Sequence, residues 1–179
     1  GKSTLLKLLA GLNHPSEGRL CLDGLDLSHI SRPLLSRSLG YLQQEHRLFQ
    51  GTLRENLLIG LPDPGDDAIA QAMAKTGMDS FVRTHPKGLD MLISEGGKGL
   101  SGGQRQLLAF TRLVLCNPCV LLLDEPTASM DEQQERRCLS VLAQEARAGK
   151  TMVIVTHKPS LLPLVDRVLV LVGNRIVLD

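Results

Sequence analysis

The chain has 179 residues, with 20 Lys and Arg against 19 Asp and Glu and a formal charge of +1. That length suits one domain or slightly more, and the near-neutral balance leaves no field of either sign to hold nucleic acid or an anionic lipid surface. Ordinary globular proportions of apolar and charged residues exclude wholesale disorder. The longest apolar runs, Cys119 to Leu123 and Val168 to Val172, are five residues each, far short of the about 20 a membrane-spanning helix needs.

Tyr41, Phe49, Phe81 and Phe110 are the only aromatics, too few for a stacking platform on single-stranded nucleic acid. Leu, Ile and Val must therefore build the core. Four cysteines make no disulfide framework, and the C-x-x-C pair Cys116 and Cys119 has no second pair at zinc-site spacing. Both are expected as ordinary buried or half-buried thiols.

In chain order, Gly1-Lys2-Ser3-Thr4 runs straight into an apolar helical pattern, Leu5, Leu6, Leu8 and Leu9, with Gly11 as its stop. G-K-S at a helix start is the second half of the phosphate-binding loop G-x-x-x-x-G-K-[ST]. The chain is therefore expected to be a fragment cut inside that motif. Arg19 to Leu22 reads as a short strand closed by an Asp23-Gly24 turn. A short helix is expected over Pro33 to Arg37 and a strand over Leu39 to Leu42. Thr52-x-x-Glu55 is a capping box that opens another short helix. Pro62 to Gly65 is a loop, and Asp66 to Lys75 has helical spacing. Ser101 can cap a helix through Leu115, ended by Asn117-Pro118. Cys119 to Leu123 reads as a strand buried on both faces. A helix follows over Asp131 to Arg147, stopped by Gly149, and two more buried strands over Thr151 to Val155 and Arg167 to Val172. Strand and helix alternate at both ends around a helical insert, which predicts an α/β parallel-sheet core with an inserted helical subdomain.

The chemistry gathers at a few places. Leu121-Leu122-Leu123-Asp124-Glu125 is an apolar strand ending in two carboxylates, and ligands of α/β sheets sit at the carboxyl ends of strands. Side chains alternate along a strand, so the two acids have different duties. Asp124 suits Mg²⁺ binding, and Glu125 suits orienting or deprotonating an attacking water. Ser3 would offer a hydroxyl to the same Mg²⁺, and Lys2 would neutralise phosphate oxygens at the helix N-terminus. Leu100-Ser101-Gly102-Gly103-Gln104 places two glycines after a capping Ser, a cradle of N–H groups for a γ-phosphate.

G-K-S-T, L-S-G-G-Q-R-Q, L-L-L-D-E-P-T-A-S-M-D and V-T-H, in this order, resemble the nucleotide-binding domain of ATP-binding-cassette (ABC) proteins over essentially the whole chain. The resemblance implies a P-loop NTPase (RecA-like) core at 1–50 and 119–179 and a helical subdomain at 51–118 carrying the signature motif. It implies that the domain binds and hydrolyses ATP with Mg²⁺. A second such domain would pair head to tail, so that each ATP lies between Gly1, Lys2, Ser3 and Thr4 of one copy and Ser101, Gly102, Gly103 and Gln104 of the other. Gln44, rather than Gln43, matches the glutamine that contacts Mg²⁺ or the lytic water, because Leu53 of G-T-L lies nine residues after it. Asp131 matches the residue that couples the two sites, with Met130 where Leu is common. His157 matches the switch histidine on the γ-phosphate. His14, His29, His46 and His85 have no such context and are expected at the surface.

Three stretches resemble exporters: Leu48 to Asn56, Pro86 to Asp90, and Ser94 to Gly99, in which Glu95 matches an acidic residue that meets the coupling helices of the transmembrane domain. Finer likeness in I-S-E-G-G-K-G-L-S-G-G-Q, D-E-P-T-A-S-M-D and T-H-K-P-S-L-L points to bacterial type I secretion of toxins and adhesins, with the domain at the cytoplasmic face of the inner membrane. A lipid or drug exporter would share these features. A soluble ABC protein acting on DNA or ribosomes fits the neutral charge and the Glu95 loop less well, and a non-hydrolysing regulatory site fits an intact Glu125 and His157 less well.

Overall fold

A computed structural model describes residues 1–173 and 175–178. Its centre is a parallel sheet in the order β3 (Leu39–Leu42), β6 (Val120–Asp124), β7 (Thr151–Val155). Leu42 lies opposite Leu123, and Asp124 opposite Val155, so all three strands end at one edge of the sheet. β6 has a neighbour on each side, which explains why Leu121 to Asp124 are all buried. Helix α1 (Lys2–Leu9) packs against β6 and β7. The expected Asp23-Gly24 turn joins β1 (Cys21–Leu22) to β2 (Leu25–Asp26), and α2 (Arg32–Ser38) leads into β3.

The chain between β3 and β6 is mostly helical. β4 (Gly51–Thr52) pairs antiparallel with β5 (Leu92–Ile93), and between them lie α3 (Leu53–Leu57), α4 (Asp66–Thr76) and α5 (Met78–Thr84). The Thr52–Glu55 capping box forms as its spacing required, with both reciprocal bonds present. The long helix α6 (Gly102–Cys116) follows, capped by Ser101 and closed by Asn117 in the left-handed region. α7 (Glu132–Arg147) connects β6 to β7.

Two apolar clusters hold these layers. One unites Leu42, Leu121, Leu123, Val141, Leu142 and Leu161 beneath the sheet; the other gathers Leu53, Leu57, Ile69, Met73, Met78 and Ile93 between the helices. α6 serves both, giving Phe110 and Leu113 to the first and Leu107 and Leu108 to the second. Each such buried side chain contributes about 1.5–3 kcal/mol, so α6 ties the two clusters mechanically.

Three expectations need correction. Arg167 to Val172 is not a buried strand. Only β8 (Val170–Val172) is extended, it pairs antiparallel with β9 (Arg175–Leu178), and Val170 and Val172 are exposed. β7 is half-buried rather than buried, since among the described residues it has a strand neighbour on one side only. Cys119 is exposed, because β6 begins one residue later than its apolar run suggests.

Candidate functional site

The three parallel strands deliver Gln44, the pair Asp124 and Glu125, and the pair Thr156 and His157 to the same edge of the sheet. Asp124 is the last residue of β6 and is only 3% exposed. Its charge adds to burial in raising the pKa of the Tyr41 phenol on the adjacent strand. Glu125 turns off the strand at φ +50°, a left-handed conformation that non-glycine residues adopt rarely. Its N–H donates to Val155 O at 2.8 Å, which ends the sheet at this residue. Its side chain is 13% exposed; Oε2 sits 3.4 Å from both Thr156 Oγ1 and the His157 N–H, and Oε1 lies 3.7 Å from His157 Nε2. Oε1 is buried without a hydrogen-bond partner. An unsatisfied buried carboxylate oxygen is costly, so Oε1 is left as an acceptor without a donor among the described residues. The His157 side chain is 77% exposed, so it hangs over this oxygen from the solvent side.

Ser101 and Gln104 form a complete capping box at the start of α6. Gln104 N–H donates to Ser101 Oγ at 3.1 Å, and Ser101 N–H donates to Gln104 Oε1 at 2.8 Å. Ser101 thus uses a lone pair of its hydroxyl within the helix and keeps its O–H for another acceptor. Gly103 has no room for a side chain, since a Cβ there would come within 2.8 Å of Ser129 O. The start of α6 therefore rests directly on the turn between β6 and α7. Asp131 caps α7 by accepting from Gln134 N–H at 2.8 Å, and Met130 is buried in the core.

At the start of α1, Gly1 occupies the cap position with no side-chain cap and no acidic residue in the first turn. The N–H groups of Lys2, Ser3 and Thr4 are the orphan donors of a helix N-terminus, suited to an anion. Gln44 lies exposed two residues beyond β3. Among the described residues no hydrogen bond or ion pair joins residues 1–4 to residues 101–104, or Gln44 to Asp124 or Glu125. The structure thus brings Glu125, Thr156 and His157 into contact, and among the described residues no hydrogen bond or ion pair ties Gln44, residues 1–4 or residues 101–104 to their side chains. No three His, Cys, Asp or Glu side chains among the described residues cluster as a metal cage. Ser3 and Asp124 carry the hydroxyl and carboxylate oxygens that would hold a hard cation such as Mg²⁺ beside phosphate oxygens.

A family model described as "ABC transporter" matches residues 1–128. The chain belongs to the ABC transporter family. The domain is 34% identical over 177 residues to the uncharacterized ABC transporter ATP-binding protein YfiC of Bacillus subtilis, covering 99% of this chain and 29% of that protein. It is 36% identical over 179 residues to the mycobactin import ATP-binding/permease protein IrtB of Mycobacterium tuberculosis, covering 100% and 31%. The structure of a bacterial Atm1-family ABC exporter with ATP bound superposes with a TM-score of 0.92 at 31% identity, covering 98% of this chain and 31% of that one. The ABC domain thus spans about three tenths of the length of these relatives. No helix among the described residues is long and apolar enough to cross a membrane. The fold is that of the P-loop NTPases, as the motif order implied.

Several residues of the ABC domain escaped the sequence reading. His46 is half-buried, with Nε2 lacking a partner, and burial together with Arg112 and Arg105 pushes its pKa down to about 4; His85 is half-buried too. Neither is a plain surface histidine. Asn56, 2% exposed, bonds Phe49 and Thr52 and so shapes the stretch after Gln44. Lys158, next to His157, donates to Thr127 O at 2.8 Å and pairs with Glu135 of α7 at 2.6 Å. Gln106 bonds the turn after Glu125. Lys158 and Gln106 join elements distant in sequence, so no local pattern marks them. Only the capping boxes and the strand-end carboxylates carry a spacing signal.

Proposed function

We propose that this is the ATP-hydrolysing motor domain of a membrane ABC exporter, of the kind that serves bacterial type I protein secretion. The observation that carries the hydrolytic reading is the buried, unpartnered Glu125 Oε1 at the end of β6, 3.7 Å from His157 Nε2. Such an oxygen accepts a proton from a water placed between it and a γ-phosphate. His157 faces the same space and donates to the phosphate. Lys2 and the first-turn N–H groups of α1 bind the β- and γ-phosphates. Ser3, Asp124 and Gln44 would hold Mg²⁺, whose charge would offset that of the phosphates. The O–H of Ser101 and the N–H groups of Gly102 and Gly103 serve the ATP of a second domain docked head to tail, with Gln104 bracing the cap. The division into a catalytic core at 1–50 and 119–179 and a helical subdomain at 51–118 belongs to this reading, and α6 links the two.

The exporter reading draws on the Leu48 to Asn56 and Ser94 to Gly99 stretches and on the likeness to an Atm1-family exporter. Glu95 is exposed on a short 3-10 turn, and Gly96, Gly97 and Gly99 around it all have positive φ, so the loop presents its acid outward to a coupling helix. The domain then works at the cytoplasmic face of the inner membrane. A relative named for mycobactin import makes the direction of transport part of the test.

The experiment uses the full-length protein in vesicles. Glu125→Gln is expected to bind ATP and hydrolyse it about 10²–10⁴-fold more slowly, whereas Lys2→Ala loses ATP affinity itself. Ser101→Arg is expected to bind ATP but not hydrolyse it, and to recover one working site when mixed with Lys2→Ala. Wild-type turnover in Glu125→Gln refutes the catalytic assignment. Movement of a lipid or a small drug, in place of a secreted polypeptide, refutes the type I assignment while leaving the motor intact.

A further inference from the structure

We propose that Gln106 is a positioning residue for hydrolysis, a clamp that passes the position of the signature helix to the base Glu125. The inference rests on the reading of Glu125 as that base. Gln106 lies in α6, five residues after Ser101, and is 2% exposed. Its Nε2 donates to Glu125 O at 2.7 Å, and its Oε1 accepts from Ser129 N–H at 2.7 Å. One carboxamide thus holds both ends of the turn that begins at the base and ends at the Asp131 cap. The bonds internal to that turn are longer, Ala128 N–H to Glu125 O and Met130 N–H to Thr127 O, each at 3.2 Å, and Lys158 Nζ donates to Thr127 O in its middle at 2.8 Å.

Three features make this more than packing. First, Glu125 has φ +50°, a conformation that persists only where its surroundings hold it, and Gln106 grips the carbonyl of that same residue. Second, Gly103 on the same helix abuts Ser129 so closely that a Cβ would meet its carbonyl oxygen at 2.8 Å, so α6 both pushes and pulls on one turn. Third, the clamp needs a donor and an acceptor on one rigid plane at the end of a two-carbon stem. Gln alone among the side chains supplies this: Asn is one methylene shorter, Glu offers two acceptors, and Met offers neither. A close-packed interior transmits displacement, so a buried side chain tends to move with its helix. A displacement of α6 of about 1 Å would therefore either carry the Glu125 carbonyl with it or break a short bond, and misplacing a catalytic group by that much costs on the order of 10²-fold. When a partner's phosphate draws in Ser101 at the head of α6, the same rigid movement sets Glu125 in the chain's own site.

The test uses the full-length protein. Wild type must hydrolyse ATP and Glu125→Gln must do so about 10²–10⁴-fold more slowly; failure here removes the functional reading itself. Given that, Gln106→Met, which nearly preserves volume, is expected to lower kcat by about 10²-fold while KM and ATP affinity stay close to wild type, because Lys2 and α1 are untouched. Gln106→Glu keeps the acceptor for Ser129 but loses the donor to Glu125, and is expected to lose kcat to the same degree. Wild-type kcat in either variant overturns the clamp. So does a loss of kcat matched by an equal loss of ATP affinity, which would mark general damage. Amide exchange of the wild-type protein tests the clamp without a substitution: Ser129 N–H is expected to be protected in step with α6, and free exchange there overturns the proposal.

Discussion

Asn56 gives the most direct test of how tertiary contacts shape the segment that follows Gln44. Its Oδ1 accepts from Phe49 N–H at 2.9 Å, and its Nδ2 donates to Phe49 O at 2.9 Å and Thr52 O at 3.0 Å. Asn56→Leu keeps the number and branching of the side-chain heavy atoms and deletes all three bonds. At about 0.5–1.5 kcal/mol net for each bond, the loss lies between about 1.5 and 4.5 kcal/mol. Phe49 is 51% exposed, so water re-pairs part of what is freed, and about 2 kcal/mol is the expected local cost. At about 1.4 kcal/mol per decade this corresponds to a roughly 30-fold rise in local opening. The assay is amide exchange on the full-length protein, comparing Phe49 with Leu123 in the central strand. Phe49 should speed up by about that factor while Leu123 is unchanged. A change at Phe49 of less than about threefold, or an equal change at Leu123, would show that the Asn56 carboxamide does not hold this segment.

Other outcomes follow from charge and burial. His46 titrates at about 4 in the fold against 6.5 when unfolded, so the folded state binds fewer protons between those values; its stabilising share is complete above pH 6.5 and falls away toward pH 4, by up to about 3 kcal/mol. His46→Gln should flatten that slope, checked by urea midpoints from pH 4 to 7. Glu135 is held below the usual carboxylate range first by its hydrogen bond from Lys158 and then by that from Ser160, so its contribution is present above 4.5 and lost as pH falls through the lower folded value. The melting-temperature gap between wild type and Glu135→Gln should therefore be open at neutral pH and close in acid. Glu95→Ala should leave basal ATP hydrolysis near wild type and lower transport in the same vesicles; an equal loss of both would place Glu95 in the structure or the chemistry rather than in coupling.

The local order of the fold is written in the chain. Period and caps locate α4, α6 and α7, the reciprocal Thr52–Glu55 bonds follow from their spacing, and an all-apolar run ending in two acids fixes β6 and the place of Asp124 and Glu125. These features depend on neighbours a few residues apart, so sequence spacing encodes them. What the chain alone could not decide is which partner each surface finds. Val168 to Val172 is as apolar as Cys119 to Leu123, yet one forms an exposed hairpin and the other a central strand, because burial depends on having strands on both sides. His46 has no sequence context that separates it from His14, yet burial in the fold, and then the charge of Arg112, 66 residues further along, depresses its pKa. Gln106 reads as one polar residue on a helix. Only the close approach of α6 to the turn after β6 turns its carboxamide into a brace between Glu125 and Ser129, since a hydrogen bond depends on distance in space and not on distance along the chain.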